Sequence, residues 1–377
     1  MTLRLLRGQN FSGRTQTLRE WVGLPHESSV SIETGSGAFI GLDTSNAFSG
    51  IASGVKGEIE LLARSPADAI DAQRAMEALG FGYCLEQSPF TLSGGEQVVA
   101  ASIAASSARP RRLAIDGALE QLDADARQRL LAYLAARDCD VMFADNRAAD
   151  WYDGDADSLA APTNAPAMRF DTPLPEGPGA RELEVVGLTH WYIRGRRVLN
   201  DLSFKLRAGQ SYALRGPNGS GKTTLSKILC GLIRPRAGEI RLDGERIEPW
   251  RTPGRWVGYH FQNPDYQIFT TRVCDQVGSA DPSEPVARWS GLDACLDAHP
   301  LDLPYVLRKR LALATCLSVP RLAVLDEPTL GQDDANALDD VRVRAMGRAT
   351  IVISHSRRFD SLARIDLGGG SHDTPKS

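Results

Sequence analysis

Long apolar runs are absent from this sequence. No stretch approaches the roughly 20 residues that a membrane-spanning helix needs, and Met1 is not followed by an apolar secretory segment. A basic excess is absent too, because 43 Lys and Arg stand against 47 Asp and Glu and leave a net charge of −4. We therefore expect no nucleic acid partner, and we expect any role at a membrane to depend on another subunit.

Cysteine and histidine are too scattered to predict a disulfide framework or a structural metal site. The six cysteines include no CxxC pair, and the six histidines include no HExxH spacing. We expect the cysteines to be buried thiols. With 42% hydrophobic and 24% charged residues among 377, the composition is that of a globular chain long enough for two domains.

The order of motifs repeats along the chain. Each half contains an apolar strand, then a glycine-containing loop, then a helix-like segment. Gly8 lies 108 residues before Asp116, and Gly216 lies 110 residues before Asp326. The resulting offset of 208 to 210 residues between equivalent positions predicts two copies of one domain.

The segment between the two copies is rich in Pro, Ala, Asp and Gly and has no apolar periodicity. It predicts a linker over residues 153–180, between a first domain at 1–152 and a second at 181–377. In the second domain 35 residues precede the glycine loop, whereas in the first only seven do. We expect two α/β domains, the first without the antiparallel strands that open the second.

The second half carries a phosphate-binding loop between an apolar strand and a helix, which is the context that such a loop requires. Its backbone amides and the helix N-terminus suit an anion. Lys222 is predicted to reach the β- and γ-phosphates, and the Thr223 hydroxyl to bind Mg²⁺. The predicted ATP-binding residues here are Gly216, Pro217, Asn218, Gly219, Ser220, Gly221, Lys222, Thr223 and Thr224.

A later apolar strand ends in two carboxylates, Asp326 and Glu327. Their types and their distance from the loop predict a Mg²⁺ ligand and a residue that orients the attacking water, respectively. A capped strand end would not explain both acids. The apolar strand at residues 351–353 is followed by His355, for which we favour a γ-phosphate contact over a purely structural role.

With these motifs the second half resembles the nucleotide-binding domain of an ATP-binding cassette (ABC) ATPase over nearly all of residues 181–367. The resemblance implies ABC-type P-loop NTPase domains that use ATP and Mg²⁺, with Tyr192, or alternatively Trp191, stacking on adenine. Residues 261–269 (FQNPDYQIF) resemble the glutamine loop of the energy-coupling factor group of cobalt and vitamin importers. In that group Gln262 would meet Mg²⁺ and the following residues would meet a membrane subunit.

The ABC signature is intact in the first half only. The second half has Pro304, Tyr305 and Val306 in its place, and bulky side chains keep the backbone away from a phosphate. The first half keeps the signature at the start of a helix, where an anion is favoured. The residues predicted to bind the γ-phosphate of ATP held by the other half are Ser93, Gly94, Gly95 and Glu96.

The first half's own ATP site departs from the family pattern. Arg14 replaces the loop lysine, Gly117 replaces the catalytic glutamate, and Asp145 is aligned with His355. Residues 38–43 occupy the glutamine-loop position without a glutamine. We predict that this site does not hydrolyse ATP.

The losses fall on both parts of one ATP site, the first-half loop and the second-half signature, and not on one whole domain. We therefore expect the two halves to pair within one chain and to form one composite catalytic site. The resemblance implies an importer's ATP-hydrolysing subunit, peripheral at the cytoplasmic face of the cell membrane. Its partners would be a transmembrane coupling subunit and a substrate-binding membrane component. The alternatives are a soluble tandem ABC protein acting on ribosomes or nucleic acid, and an exporter ATPase.

Overall fold

A computed structural model describes residues 2–8, 12–24, 32–33, 37–145, 151–160, 182–192, 197–216, 220–278, 290–318, 322–330, 348–354 and 359–367. The chain divides into two compact units, residues 1–165 with 330–334 and residues 166–329 with 335–377. In the described ranges, no helix has both the length and the apolar character needed to cross a membrane.

The first unit is a parallel sheet with helices. Its strands are β1 (Leu3–Arg7), β2 (Ile32–Glu33), β3 (Gly37–Ile40), β4 (Arg112–Asp116), β5 (Asp140–Ala144) and β6 (Ala156–Ser158). Its helices are α1 (Arg14–Val22), α2 (Val55–Leu62), α3 (Pro66–Ala78), α4 (Gly94–Ser107) and α5 (Ala124–Ala135). The strand order is β2-β3-β4-β5-β1-β6, and only β2 runs antiparallel to its neighbour. The apolar β4 and β5 are buried, as parallel strands require.

The second unit has two sheets. Its strands are β7 (Glu182–Trp191), β8 (Arg197–Arg207), β9 (Ser211–Arg215), β10 (Ala237–Leu242), β11 (Glu245–Ile247), β12 (Val257–His260), β13 (Leu322–Asp326), β14 (Ala349–Ile353) and β15 (Ala363–Asp366). Its helices are α6 (Lys222–Leu229), α7 (Val273–Val277) and α8 (Tyr305–Ser318). One sheet has the antiparallel order β11-β10-β7-β8, and the other has the parallel order β12-β13-β14-β9-β15.

The two parallel sheets share one topology. The order β3-β4-β5-β1-β6 in the first unit matches β12-β13-β14-β9-β15 in the second. The pairing register matches as well, because Leu5 pairs with Ala156 and Ala213 pairs with Arg364, each 208 residues further on. The prediction of two α/β domains of one architecture in tandem is therefore confirmed. The described residues of the first unit include no counterpart of the antiparallel sheet.

Strand β6 lies inside the segment 153–180 that the sequence predicts to be a linker. Its residues hydrogen-bond to β1, and Leu159 N donates to Arg7 O at 2.8 Å, as Leu367 N does to Arg215 O in the second unit. All three β6 residues are exposed, so the strand has no apolar alternation that a sequence pattern could detect. The first sheet thus takes in the start of the predicted linker, while residues 161–180 lie outside the described residues.

Candidate functional site

The carboxyl end of β9 leads into α6 through the phosphate-binding loop. Gly221 has a φ of +98°, and a Cβ there would lie 2.9 Å from Val198 O, so this position requires glycine. Lys222 Nζ donates to Gly216 O at 2.7 Å. Burial lowers the pKa of Lys222, against the attraction of two nearby acids, Asp326 and Glu327. Pro217, Asn218 and Gly219 lie outside the described residues.

The two predicted acids adjoin this lysine. Desolvation, reinforced by the charge of Glu327, raises the pKa of Asp326 to about 6. The Tyr259 hydroxyl donates to Asp326 Oδ2 at 3.1 Å. Glu327 is buried, and its Oε2 accepts a hydrogen bond from the Ser354 hydroxyl at 2.9 Å. The lysine and the two carboxylates therefore lie at one edge of the second parallel sheet, within electrostatic reach of one another.

Glu327 occupies a backbone conformation that favours glycine. Its φ is +44°, and its N–H donates to Ile353 O at 2.8 Å. In the first unit Gly117, with a φ of +70°, makes the same bond to Ala144 O at 2.7 Å. A left-handed non-glycine residue carries strain of order 1–3 kcal/mol. The second unit thus keeps a strained glutamate where the first unit has the unstrained residue.

The strand register corrects one alignment made from the sequence. Asp116 pairs with Ala144 and Asp326 pairs with Ile353, so Asp145 stands at the position of Ser354. The alignment of Asp145 with His355 is wrong by one residue, because counting along the sequence cannot fix the register between neighbouring strands. His355 itself lies outside the described residues.

Tyr192 lies beside the first turn of α6. Its hydroxyl is 3.2 Å from Oγ1 of the buried Thr224, and the residue is 56% exposed. The Arg236 guanidinium lies over the Trp191 ring, with Cζ 5.9 Å from its centroid. This arrangement favours Tyr192 over Trp191 as the aromatic available to a ligand. Thr223, the predicted Mg²⁺ ligand, is exposed.

The corresponding positions of the first unit hold an ion pair. Arg14 Nε lies 2.9 Å from Asp116 Oδ1, and Arg14 Nη1 donates to Gly8 O at 3.2 Å, the carbonyl equivalent to Gly216 O. Thr15 also donates to Asp116. Arg14 makes the same contact with the loop carbonyl as Lys222 does, and it also neutralises Asp116. The predicted Mg²⁺ aspartate of this unit is therefore already paired.

The signature residues form an N-terminal cap of α4. Ser93 N and Oγ each lie 2.7 Å from Glu96 Oε2, and the Tyr83 hydroxyl donates to Glu96 Oε1 at 2.6 Å. A Cβ on Gly95 would lie 2.9 Å from Gln121 O, so close packing also requires this glycine. Glu96, predicted to contact ATP, is therefore held by its own unit.

The glutamine loop follows β12. Asn263 caps a short 3₁₀ helix at Pro264–Gln267, as Asp43 caps one at Thr44–Ala47 in the first unit, which places Leu42 at the position of Gln262.

Lys309 is a site residue that the sequence motifs do not indicate. Its Nζ donates to the carbonyl oxygens of Gln262 at 2.8 Å and Glu327 at 3.1 Å. Burial lowers its pKa to about 7, against the attraction of Asp326 and Glu327. The available signal is the helical spacing, because Val306 lies three residues before Lys309 and Leu313 four residues after it, which places Lys309 on their apolar face.

The chain is similar in sequence to known proteins. The family model "ABC transporter" matches residues 199–330. A Pyrococcus furiosus protein described as an ABC transporter ATP-binding protein is 36% identical over 192 residues, which are 46% of this chain and 74% of that protein. A Bacillus subtilis protein described as an HMP/thiamine import ATP-binding protein is 32% identical over 218 residues, which are 52% of this chain but 40% of that protein.

A solved structure matches nearly the whole chain in fold. It is an archaeal ribosome recycling factor in complex with a ribosomal stalk protein, with a TM-score of 0.61 and 16% identity. The match covers 97% of this chain and 83% of that one. At this identity the likeness concerns the fold alone.

Proposed function

The chain belongs to the family of ABC transporter ATP-binding proteins and is an ATPase, and from this premise we propose that it hydrolyses ATP at one composite site as the ATPase subunit of an importer. The observation that carries the proposal is the contrast between equivalent positions. Lys222, Asp326 and Glu327 meet in the second unit, whereas Arg14 pairs with Asp116 in the first. A working ATP site needs a lysine and two acids such as Lys222, Asp326 and Glu327.

The residues of the second unit fit Mg²⁺. Burial, and after it the charge of the adjacent Glu327, raises the pKa of Asp326 to about 6. A hard cation beside the two carboxylates would offset their mutual repulsion. Asp326, the Thr223 hydroxyl and the Gln262 side chain would hold the ion. When bound, it would neutralise charge on the phosphates of ATP.

The chain's own residues divide the remaining work. Lys222 binds the β- and γ-phosphates, and Glu327 orients the attacking water. The Ser354 hydroxyl holds the Glu327 carboxylate by the 2.9 Å hydrogen bond. Tyr192 stacks on adenine, and the loop residues 216–224 wrap the phosphates. His355 contacts the γ-phosphate.

The signature of the first half completes the site in trans. In the second half Tyr305 and Val306 stand where a phosphate would need glycine, while the first half offers Ser93, Gly94 and Gly95 at the start of a 14-residue helix. Pairing of the two halves within one chain brings an intact signature to the intact loop. The other site, made of the first-half loop and residues 304–306 of the second half, has neither an intact loop nor an intact signature.

The importer assignment is supported by the glutamine loop. FQNPDYQIF resembles the energy-coupling factor group, and one relative carries a name referring to HMP/thiamine import. We propose a transmembrane coupling subunit and a substrate-binding membrane component as partners, at the cytoplasmic face of the membrane. The ribosome-acting alternative shares the tandem fold.

A matched pair of variants tests the composite site. Ser93→Asp and Pro304→Asp each place an aspartate at the residue before a signature-position helix, and aspartate is a good N-cap, so both should fold. Ser93→Asp should lower ATP turnover about 10²–10³-fold, because a carboxylate replaces a donor to the γ-phosphate. Pro304→Asp should stay near wild type. Equal turnover by the two variants would refute the composite site.

A further inference from the structure

A lysine occupies an apolar position in α8. Lys309, the fifth residue of the helix, is 1% exposed, and Val98, the fifth residue of α4, is fully buried in the equivalent place. An ammonium group loses its water shell on burial and persists only where polar groups replace it. The groups around Lys309 therefore indicate its role.

Lys309 joins two loops of the ATP site. Its Nζ contacts the backbone of Gln262, at the start of the glutamine loop, and the backbone of Glu327, immediately after β13. These two residues carry the side chains that we propose to meet Mg²⁺ and water. The Lys309 ammonium group thus bonds to both backbone segments, and the positions of these segments determine the distance between the two side chains.

Further hydrogen bonds join α8 to the same loop. They are Tyr305 Oη to Gln262 O at 3.3 Å, Arg308 Nη1 to Asp265 Oδ2 at 2.6 Å, and Gln267 Nε2 to Ala312 O at 2.7 Å. The residues that replace the signature, from Tyr305 onward, are therefore engaged within their own unit.

We propose that Lys309 is a positioning residue for ATP hydrolysis, and that α8 clamps the glutamine loop of its own unit against the loop that follows β13. Helix α8 has kept the position of a signature helix. Instead of contacting a phosphate bound by a partner domain, it contacts loops of its own unit. The proposal rests on the ATP site of the second half, and it is independent of the transport partner and of pairing between the halves.

The test replaces Lys309 with Met, which has a similar length and no N–H donor. We expect kcat to fall about 10- to 100-fold, because the reacting groups lose their fixed spacing. KM for ATP should change less than about threefold, since the phosphate loop is untouched. The melting temperature is measured in parallel, because losing the cation leaves two carbonyl oxygens and two buried carboxylates without this partner.

Two further variants and one measurement without nucleotide sharpen the test. Lys309→Gln keeps a shorter N–H donor and should recover part of kcat, and Lys205→Met, at an exposed lysine paired with Glu182 and Glu184, should leave kcat unchanged. In the nucleotide-free protein, amide hydrogen exchange over residues 259–268 should be faster in Lys309→Met than in wild type.

Two results would overturn the clamp. One is an unchanged kcat in Lys309→Met, whatever its exchange rates, and the other is a loss of kcat that only parallels a loss of melting temperature in both Lys309 variants. If Ser93→Asp is fully active, the composite site fails, but the exchange and kcat measurements still decide the role of Lys309.

Discussion

At the scale of single residues, the basic side chains at two equivalent positions both donate to the loop carbonyl, Lys222 to Gly216 O and Arg14 to Gly8 O. Asp326 accepts a hydrogen bond from the Tyr259 hydroxyl, whereas Arg14 makes a second contact, an ion pair with Asp116. The longer planar guanidinium makes this second contact possible. The first-unit site is thereby internally neutralised.

This difference predicts an asymmetric effect of mutations on ATP turnover. Lys222→Ala should reduce steady-state phosphate release at least about 10²-fold, because the β- and γ-phosphates lose their cation. The matched control removes both partners of the other pair, Arg14→Met with Asp116→Asn, since removing one would leave a buried charge. That double variant should keep most of the activity. Similar losses in both would contradict a single catalytic site.

Asp326 predicts a pH dependence of stability in the absence of nucleotide and Mg²⁺. Its pKa is raised from 3.8 to about 6 in the folded state. The folded chain therefore holds the proton more tightly, and stability falls as pH rises from about 4 to about 6. Asp326→Asn should be more stable than wild type by about 3 kcal/mol at pH 7.5, with little difference at pH 4. Urea unfolding at both pH values measures this, and a less stable variant at pH 7.5 would contradict it.

At the scale of elements, the glutamine loop presents both an anchored and an exposed side. Gln267 is buried and bonded to α8, while Tyr266 is 61% and Phe269 77% exposed. Large exposed aromatics on an anchored loop are typical of a protein-binding surface. This supports the proposed contact with a membrane subunit.

Phe269→Asp should weaken recovery of the chain with membrane proteins, because a charge would enter an apolar contact. Leu232→Asp, at another exposed apolar position of the second unit, is the matched control and should leave recovery unchanged. Affinity purification from detergent-solubilised membranes measures both, with ATP binding as the check on folding. Full recovery with Phe269→Asp, or recovery with ribosomes instead, would favour the soluble alternative.

At the scale of the whole molecule, two units share a topology and differ in what they keep. Every parallel strand of one has a counterpart in the other, yet the phosphate loop with its acids and the signature survive in different units. The composite site that we propose would account for this distribution, because residues of one shared site would be lost together.

A catalytic site built from both halves predicts that neither half hydrolyses ATP well alone. Residues 1–165 and 166–377, expressed separately, should each show at most a few per cent of full-length turnover, and mixing them should restore part of it. Gly94→Asp in the first half should abolish this complementation, because it adds negative charge beside the γ-phosphate. Full activity of the second half alone would exclude a contribution from the signature.

The sequence by itself determined the two-copy α/β architecture and predicted the main site residues. Local patterns carry this information, since the loop before Lys222 and the acids after β13 follow from glycine spacing and an apolar run. The repeat offset of 208 residues is also the offset between the residue pairs that join β1 to β6 and those that join β9 to β15.

Only the tertiary structure decided which groups neutralise one another. The pairing of Arg14 with Asp116 and the bridge from Lys309 to Gln262 join residues far apart in sequence. The pairing of β4 with β5 and of β13 with β14 likewise fixed the equivalence of Asp145 and Ser354. Strand β6 shows no apolar alternation, so its place in the sheet depends on backbone hydrogen bonds to β1. Such contacts arise from packing between elements, which no local pattern encodes.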